Sequence, residues 1–121
     1  MFNLKFKIMN NLVNRVVLVG NLGGNPELKK VGENNHVLNL SLATNEYYTN
    51  SSGDKETKTT WHRVVAWGKQ AEFLSDKCQT GSKLMVEGRL ETKKWEKDGD
   101  TRYFTDVRMT EFLLLDPKNK S

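Results

Sequence analysis

Apolar and polar residues alternate in short runs along most of this chain, with the two-residue period of β-strands. Arg15-Val-Val-Leu-Val19 is a brief buried-strand run, closed by the turn sequence Gly20-Asn-Leu-Gly-Gly-Asn-Pro26. From His36 to Thr44, Leu38, Leu40 and Leu42 fall on one face and Asn39, Ser41 and Ala43 on the other, which predicts a half-buried strand. Glu46 to Thr59 is polar and turn-rich and reads as a long mobile hairpin, with Tyr47 and Tyr48 at its base. Lys58 to Trp67 is a third strand. Trp61, Arg63, Val65 and Trp67 share one face, and His62, Val64 and Ala66 the other. The period changes at Lys69 to Cys78, where Ala71, Leu74 and Cys78 recur at helical spacing and Gly81 follows as a stop signal. Lys83 to Trp95 returns to alternation, with Leu84, Val86, Gly88 and Leu90 against Met85, Glu87, Arg89 and Lys93. Asp98-Gly99 marks a hairpin, and Arg102 to Leu115 is the return strand.

Three strands, one short helix and two strands is the element order of an all-β OB-fold. That fold is a five-stranded Greek-key barrel, here with its helix between strands 3 and 4. At 121 residues the chain is long enough to bury a core as one domain. We expect a barrel domain over 11–115, an N-terminal extension over 1–10 and a short C-terminal end over 116–121. Phe2, Leu4, Phe6 and Ile8 alternate with Asn3, Lys5 and Lys7, which is a strand pattern and not a signal-peptide block. These residues fit an appendage before an alternative start at Met9, or an edge strand.

Composition narrows the function. Net charge is +4, a mild basic bias that suits a polyanionic partner. A single cysteine, Cys78, gives no disulfide framework and no zinc pair, and fits a reducing cytoplasm; on its helix face it reads as a small apolar residue. No apolar stretch approaches the ~20 residues of a membrane span. His36 and His62 lie far apart in the pattern, and no acid, base and nucleophile come together. The glycines between Gly20 and Gly24 match neither nucleotide-binding spacing. The expectation is a protein without catalysis, cofactor or metal.

The tryptophans carry the sharpest signal. One face of the third strand holds two indoles with the Arg63 guanidinium between them, and Trp95 follows Lys93 and Lys94. A flat π-surface beside fixed positive charge suits an unpaired nucleobase and its phosphate. The competing reading buries all three indoles in the core, which would bury Arg63 and Lys93 as well. Tyr47 and Tyr48 point to opposite faces, so at most one shares the Trp61 surface.

Several stretches resemble the bacterial and organellar single-stranded DNA-binding proteins: N-R-V-V-L-V-G-N-L-G-G-N-P-E from Asn14, L-A-T-N-E from Leu42, W-H-R-V-V-A-W-G-K-Q-A-E from Trp61, G-S-K-L-M-V-E-G-R-L from Gly81 and K-K-W from Lys93. The resemblance spans about residues 11 to 115, in the same order. It implies an OB-fold that stacks bases on aromatics in a basic groove, assembles as a homotetramer and serves replication, recombination and repair in the bacterial cytoplasm. Trp61 and Trp95 match the family's stacking tryptophans. Trp67 stands where phenylalanine is common, and Tyr48 where many members have tryptophan. Arg15, Arg63, Lys69 and Lys94 fall at typically basic, phosphate-facing positions, and Lys93 adjoins them. Glu91 replaces what is often a basic residue. His62 matches a histidine at a subunit interface. Members usually continue into a tail with an acidic tip that recruits replication and repair enzymes; this chain ends at Pro117-Lys-Asn-Lys-Ser121, so such partners are expected only with an acidic tail beyond Ser121. An OB-fold nuclease, an RNA-binding module and a dimeric adaptor of replication restart are the competing classes.

Overall fold

A computed structural model describes residues 12–115. The stretches read above as extension and terminal end lie outside the described residues. Among these residues the strands and the helix of the domain follow in the order β1 (Val16–Leu22), β2 (Glu27–Val31), β3 (Asn35–Thr49), β4 (Lys55–Trp67), α1 (Gly68–Lys77), β5 (Lys83–Lys97) and β6 (Asp100–Leu114). They form one sheet in the order β1-β5-β6-β4-β3-β2, and a β1–β3 pairing closes it into a barrel. The barrel strands are β1, β3, β4, β5 and β6, with α1 between the third and fourth. This is the OB-fold that the element order predicts.

Alternation decides the core. Leu38, Leu40 and Leu42 of β3 meet Ala66, Val64 and His62 of β4 as direct cross-strand partners. Leu84 and Val86 of β5, with Val107 and Met109 of β6, complete the inner wall. Ala71 and Leu74 of α1, and Cys78 just past its end, are fully buried against it. Each such leucine contributes roughly 1.5–3 kcal/mol by leaving water. The Asp98-Gly99 turn takes positive φ at both residues (53° and 83°), the pairing a two-residue hairpin demands. Gly68, at φ 64°, turns β4 directly into α1.

Three features add to the sequence expectation. β2 is an added edge strand paired with β3, and all five of its residues are exposed. With no buried face it leaves no alternation to detect. The polar segment after Glu46 is a hairpin with its strands paired to the tip, from Val37↔Trp67 to Thr49↔Lys55. Asn50 seals the turn: its Oδ1 accepts from Ser52 N (2.9 Å) and Asp54 N (3.0 Å). Third, a bulge sits in β6. Glu87 pairs with Glu111 and Gly88 with Met109, leaving Thr110 extra. It reverses the facing, so Phe112 and Leu114, not Glu111 and Leu113, pack on the core.

Beyond the barrel the two long hairpins continue as arms. Residues 45–49 and 55–61 are exposed throughout in the β3–β4 arm, as are 92–97 and 100–105 in the β5–β6 arm.

Candidate nucleic-acid interface

The outer face of β4 carries Trp61, Arg63, Val65 and Trp67, while Val64 and Ala66 beneath are fully buried. Trp61 is 59% exposed and Trp95 46%. Neither belongs to the core; Trp67 is half-buried. The indole of Trp61 lies over the β1–β2 turn, where a Cβ built on Gly23 would overlap its Cζ3 and Cη2 atoms. Gly23 is therefore the floor under that ring, a role beyond the simple turn its sequence suggests.

Register brings β4, β6 and β5 side chains onto one surface. Val65 is the parallel partner of Arg108. Asp106 lies opposite Glu91, Phe104 opposite Lys93, and Arg102 opposite Trp95. Two cations stack on rings. The Arg63 guanidinium sits 5.6 Å from the Phe104 centroid, and that of Arg108 5.5 Å from Trp67. At Trp67 a planar guanidinium thus covers one aromatic face, and guanidinium planes themselves stack bases. Lys97 sits 5.8 Å from the Trp95 ring. Arg108 also pairs with Glu91 (3.7 Å), and Lys93 with the same carboxylate (3.9 Å).

Not every expected residue joins this surface. Arg15 lies on the β1 side of the sheet, and its Nη2 donates to Glu87 Oε1 (2.9 Å). Arg89, the cross-strand partner of Arg108, lines the same groove as Arg15 and links it to the rest of the face. Lys69 stands exposed in the first turn of α1, two residues after Trp67. Lys93 shares the Trp95 face; Lys94, one residue on, takes the reverse face and pairs with Glu96 (3.2 Å). Tyr48 is likewise on the reverse face of its arm from Trp61. Trp61 pairs with Ala43, so the odd-numbered residues of β3, Tyr47 among them, share its side. The Tyr48 hydroxyl donates to Glu56 Oε2 (2.8 Å), and Asn50 Nδ2 donates to Glu56 Oε1 (2.8 Å). The first of these bonds, helped by the second, holds the Glu56 carboxyl below its ordinary pKa, and it raises that of the Tyr48 phenol. His62 continues the inward row of β4; its Nε2 shares a hydrogen bond with Thr44 Oγ1 (2.9 Å).

Phe104, Asp106, Arg108, Arg89 and Gly23 were not singled out from sequence, and of Tyr47 and Tyr48 the register favours Tyr47 for the Trp61 side. The strand alternation already placed Phe104, Asp106 and Arg108 on one side of β6. Only the β4–β6 pairing reveals that this side adjoins Trp67 and Arg63. Among the described residues no group of three metal-ligating side chains comes together, and no helix is long and apolar enough to cross a membrane.

The chain that carries this face is similar to known proteins. The model of the single-strand binding protein family matches residues 13–115. The chain belongs to that family. Its members are DNA-binding proteins without catalytic activity. Single-stranded DNA-binding protein 1 of Chlorobaculum tepidum is 39% identical over 109 residues, covering 88% of this chain and 67% of that protein. A deletion mutant of the single-stranded DNA binding protein from Thermus aquaticus superposes with a TM-score of 0.76 at 35% identity, over 86% of this chain. This chain spans about half of that one, 51%. The Plasmodium falciparum SSB, solved in complex with ssDNA, superposes with a TM-score of 0.78 at 26% identity, covering 86% of this chain and 96% of that one.

Proposed function

We propose that this chain binds and protects single-stranded DNA without reading its sequence, in replication, recombination and repair in the bacterial cytoplasm. Bases stack on Trp61, Trp67 and Trp95, and phosphates meet Arg15, Arg63, Lys69 and Lys93. The observation that carries this reading is the shared outer face of β4, β6 and β5, where the indoles of β4 and β5 lie among cations from all three strands. Every base has a π-face, so stacking accepts any sequence, and among the described residues no recognition helix is presented to a duplex groove. Tyr48 and Lys94 engage DNA that passes around the arm edges to their reverse faces.

The chain assembles as a homotetramer, with His62 near a subunit contact. Two observations support self-association. The sheet of β1, β5 and β6 turns an apolar outer row to solvent: Val17, Val19, Met85 and Leu113 are each exposed by more than a third, and Val19–Met85–Leu113 lie side by side by register. Much of β1 also pairs on one side only, since its contact with β3 is limited to Asn21 and Leu22.

Titration with oligo-dT tests the binding. Indole fluorescence should be quenched, with affinity far above that for duplex. Unchanged fluorescence, equal duplex affinity or a preference for oligo-U would defeat the reading. Sedimentation at micromolar protein tests the assembly, which a monomer would refute.

A further inference from the structure

Asp106 is 2% exposed, the only buried charged residue among those described, yet it sits on the outward side of β6 beneath the proposed DNA face. Neither carboxylate oxygen has a hydrogen-bond partner. Its nearest opposite charges are Arg63, whose Nε lies 3.4 Å from Oδ1, and Lys93, whose Nζ lies 4.0 Å from Oδ2. Both cationic side chains are about half exposed, 57% and 44%, so their heads meet solvent while the carboxylate does not. Burying a carboxylate is costly unless opposite charge offsets it. Here two cations from two other strands supply the offset, and the Phe104 ring beneath Arg63 narrows where that guanidinium can go.

A phosphate that approaches Arg63 or Lys93 must also approach Asp106. The carboxylate is buried, so water screens that repulsion poorly. We infer that Asp106 is an internal counter-ion: it positions Arg63 and Lys93 and cancels one of their two charges, so that the pair holds phosphate with a single net charge. The inference rests on the single-stranded DNA reading. Its consequence is a face that grips DNA less tightly than its cation count implies and releases it more readily. Glu91 touches Lys93 and Arg108 in a similar way, but it is partly exposed and therefore better screened.

The salt dependence of oligo-dT binding tests this, because a purely structural role would not move it. Asp106→Asn keeps the shape and removes the charge. The slope of log affinity against log salt should steepen by ~0.7, one phosphate's worth on single strands. Relative to 1 M salt, that is a gain of about eightfold at 50 mM (0.7 × log 20 ≈ 0.9). Asp106→Val carries the same expectation should the Asn variant fold poorly, and Glu91→Gln should change the slope less. Arg63→Gln alone should flatten the slope by ~0.7. The double variant Arg63→Gln/Asp106→Asn should return it to the wild-type value. A double variant as flat as Arg63→Gln, or a slope no steeper in Asp106→Asn, overturns the counter-ion while leaving the DNA reading intact. A wild-type chain that ignores oligo-dT overturns both.

Discussion

Strands β3 to β6 each pass through two environments. In the barrel, one side of every strand is sealed: Leu38, Leu40, Leu42, Val64, Leu84, Val86, Val107 and Met109 are at most 5% exposed. In the arms the same strands run on with both faces in water, held by their ladders, hairpin turns and side-chain bonds such as Thr92 to Thr105 (2.9 Å) and Thr59 to Asn45 (2.6 Å). The barrel is fixed by burial and the arms by pairing. Stability therefore concentrates in the barrel, while much of the aromatic and basic chemistry lies on its outer wall and arms, where substitutions are cheap for the fold. The difference separates two kinds of residue that composition alone confuses, a tryptophan that packs and a tryptophan that binds.

The largest expected effect tests this division directly. Leu84→Ala, in the sealed wall, should cost ~2–5 kcal/mol in denaturant unfolding. Trp95→Ala, on the arm, should leave unfolding within about 0.5 kcal/mol of wild type. It should still weaken oligo-dT binding by ~1–3 kcal/mol. Comparable unfolding losses in the two variants would erase the distinction.

Gly23 lies at the border between the two regions, and its effect should come next. Gly23→Val lifts the Trp61 ring from its floor, so binding should weaken nearly as much as in Trp61→Ala. In a Trp61→Ala background the same change should cost nothing further, a coupling that a double-mutant cycle reads directly. Additive losses would mean that Gly23 acts through the turn and not through the indole.

A smaller effect separates the two faces of the arms. One OB-fold covers about 4–16 nucleotides. Tyr48→Ala and Lys94→Gln should hardly affect an oligo-dT of that length and should weaken binding to one several times longer, which wraps past the arm edges. Tyr47→Ala, on the Trp61 side, should affect both. Equal effects of Tyr47→Ala and Tyr48→Ala on the short strand would place both faces in one path.

The smallest effect is local and pH-dependent. Glu56 has a depressed folded pKa, so its contribution to the β3–β4 arm is present above its unfolded value and is lost as pH falls through the folded one. Tyr48 is raised, so its contribution is present below the unfolded phenol value and lost as pH rises through the folded one. Hydrogen exchange at Gly53 and Asp54 should therefore quicken at both acidic and strongly alkaline pH and stay slowest between, relative to the intrinsic rate. Loss of the acid limb alone in Glu56→Gln checks the assignment.

The sequence by itself determined the barrel. Residues that face water on one side and the core on the other must alternate, so Leu38 to Leu42, Val64 to Ala66 and Leu84 to Val86 announce their strands, and Ala71, Leu74 and Cys78 their helix. It also determined that Trp61 and Trp67 share a face with Arg63, since that follows from parity within one strand. What crosses between strands needed the tertiary structure. Parity cannot say that β6 lies beside β4, so Phe104, Asp106 and Arg108 stood on a named face with no known neighbour. A single bulge at Thr110 reversed the facing of all that follows it. Gly23 reached Trp61 only because the barrel closes through β1 and β3. In the arms, where neither side is buried, composition carries no signal of facing. Hydrogen-bond register put Tyr47 on the Trp61 side and turned Tyr48 to the other, while parity within β5 already turned Lys94 away from Trp95.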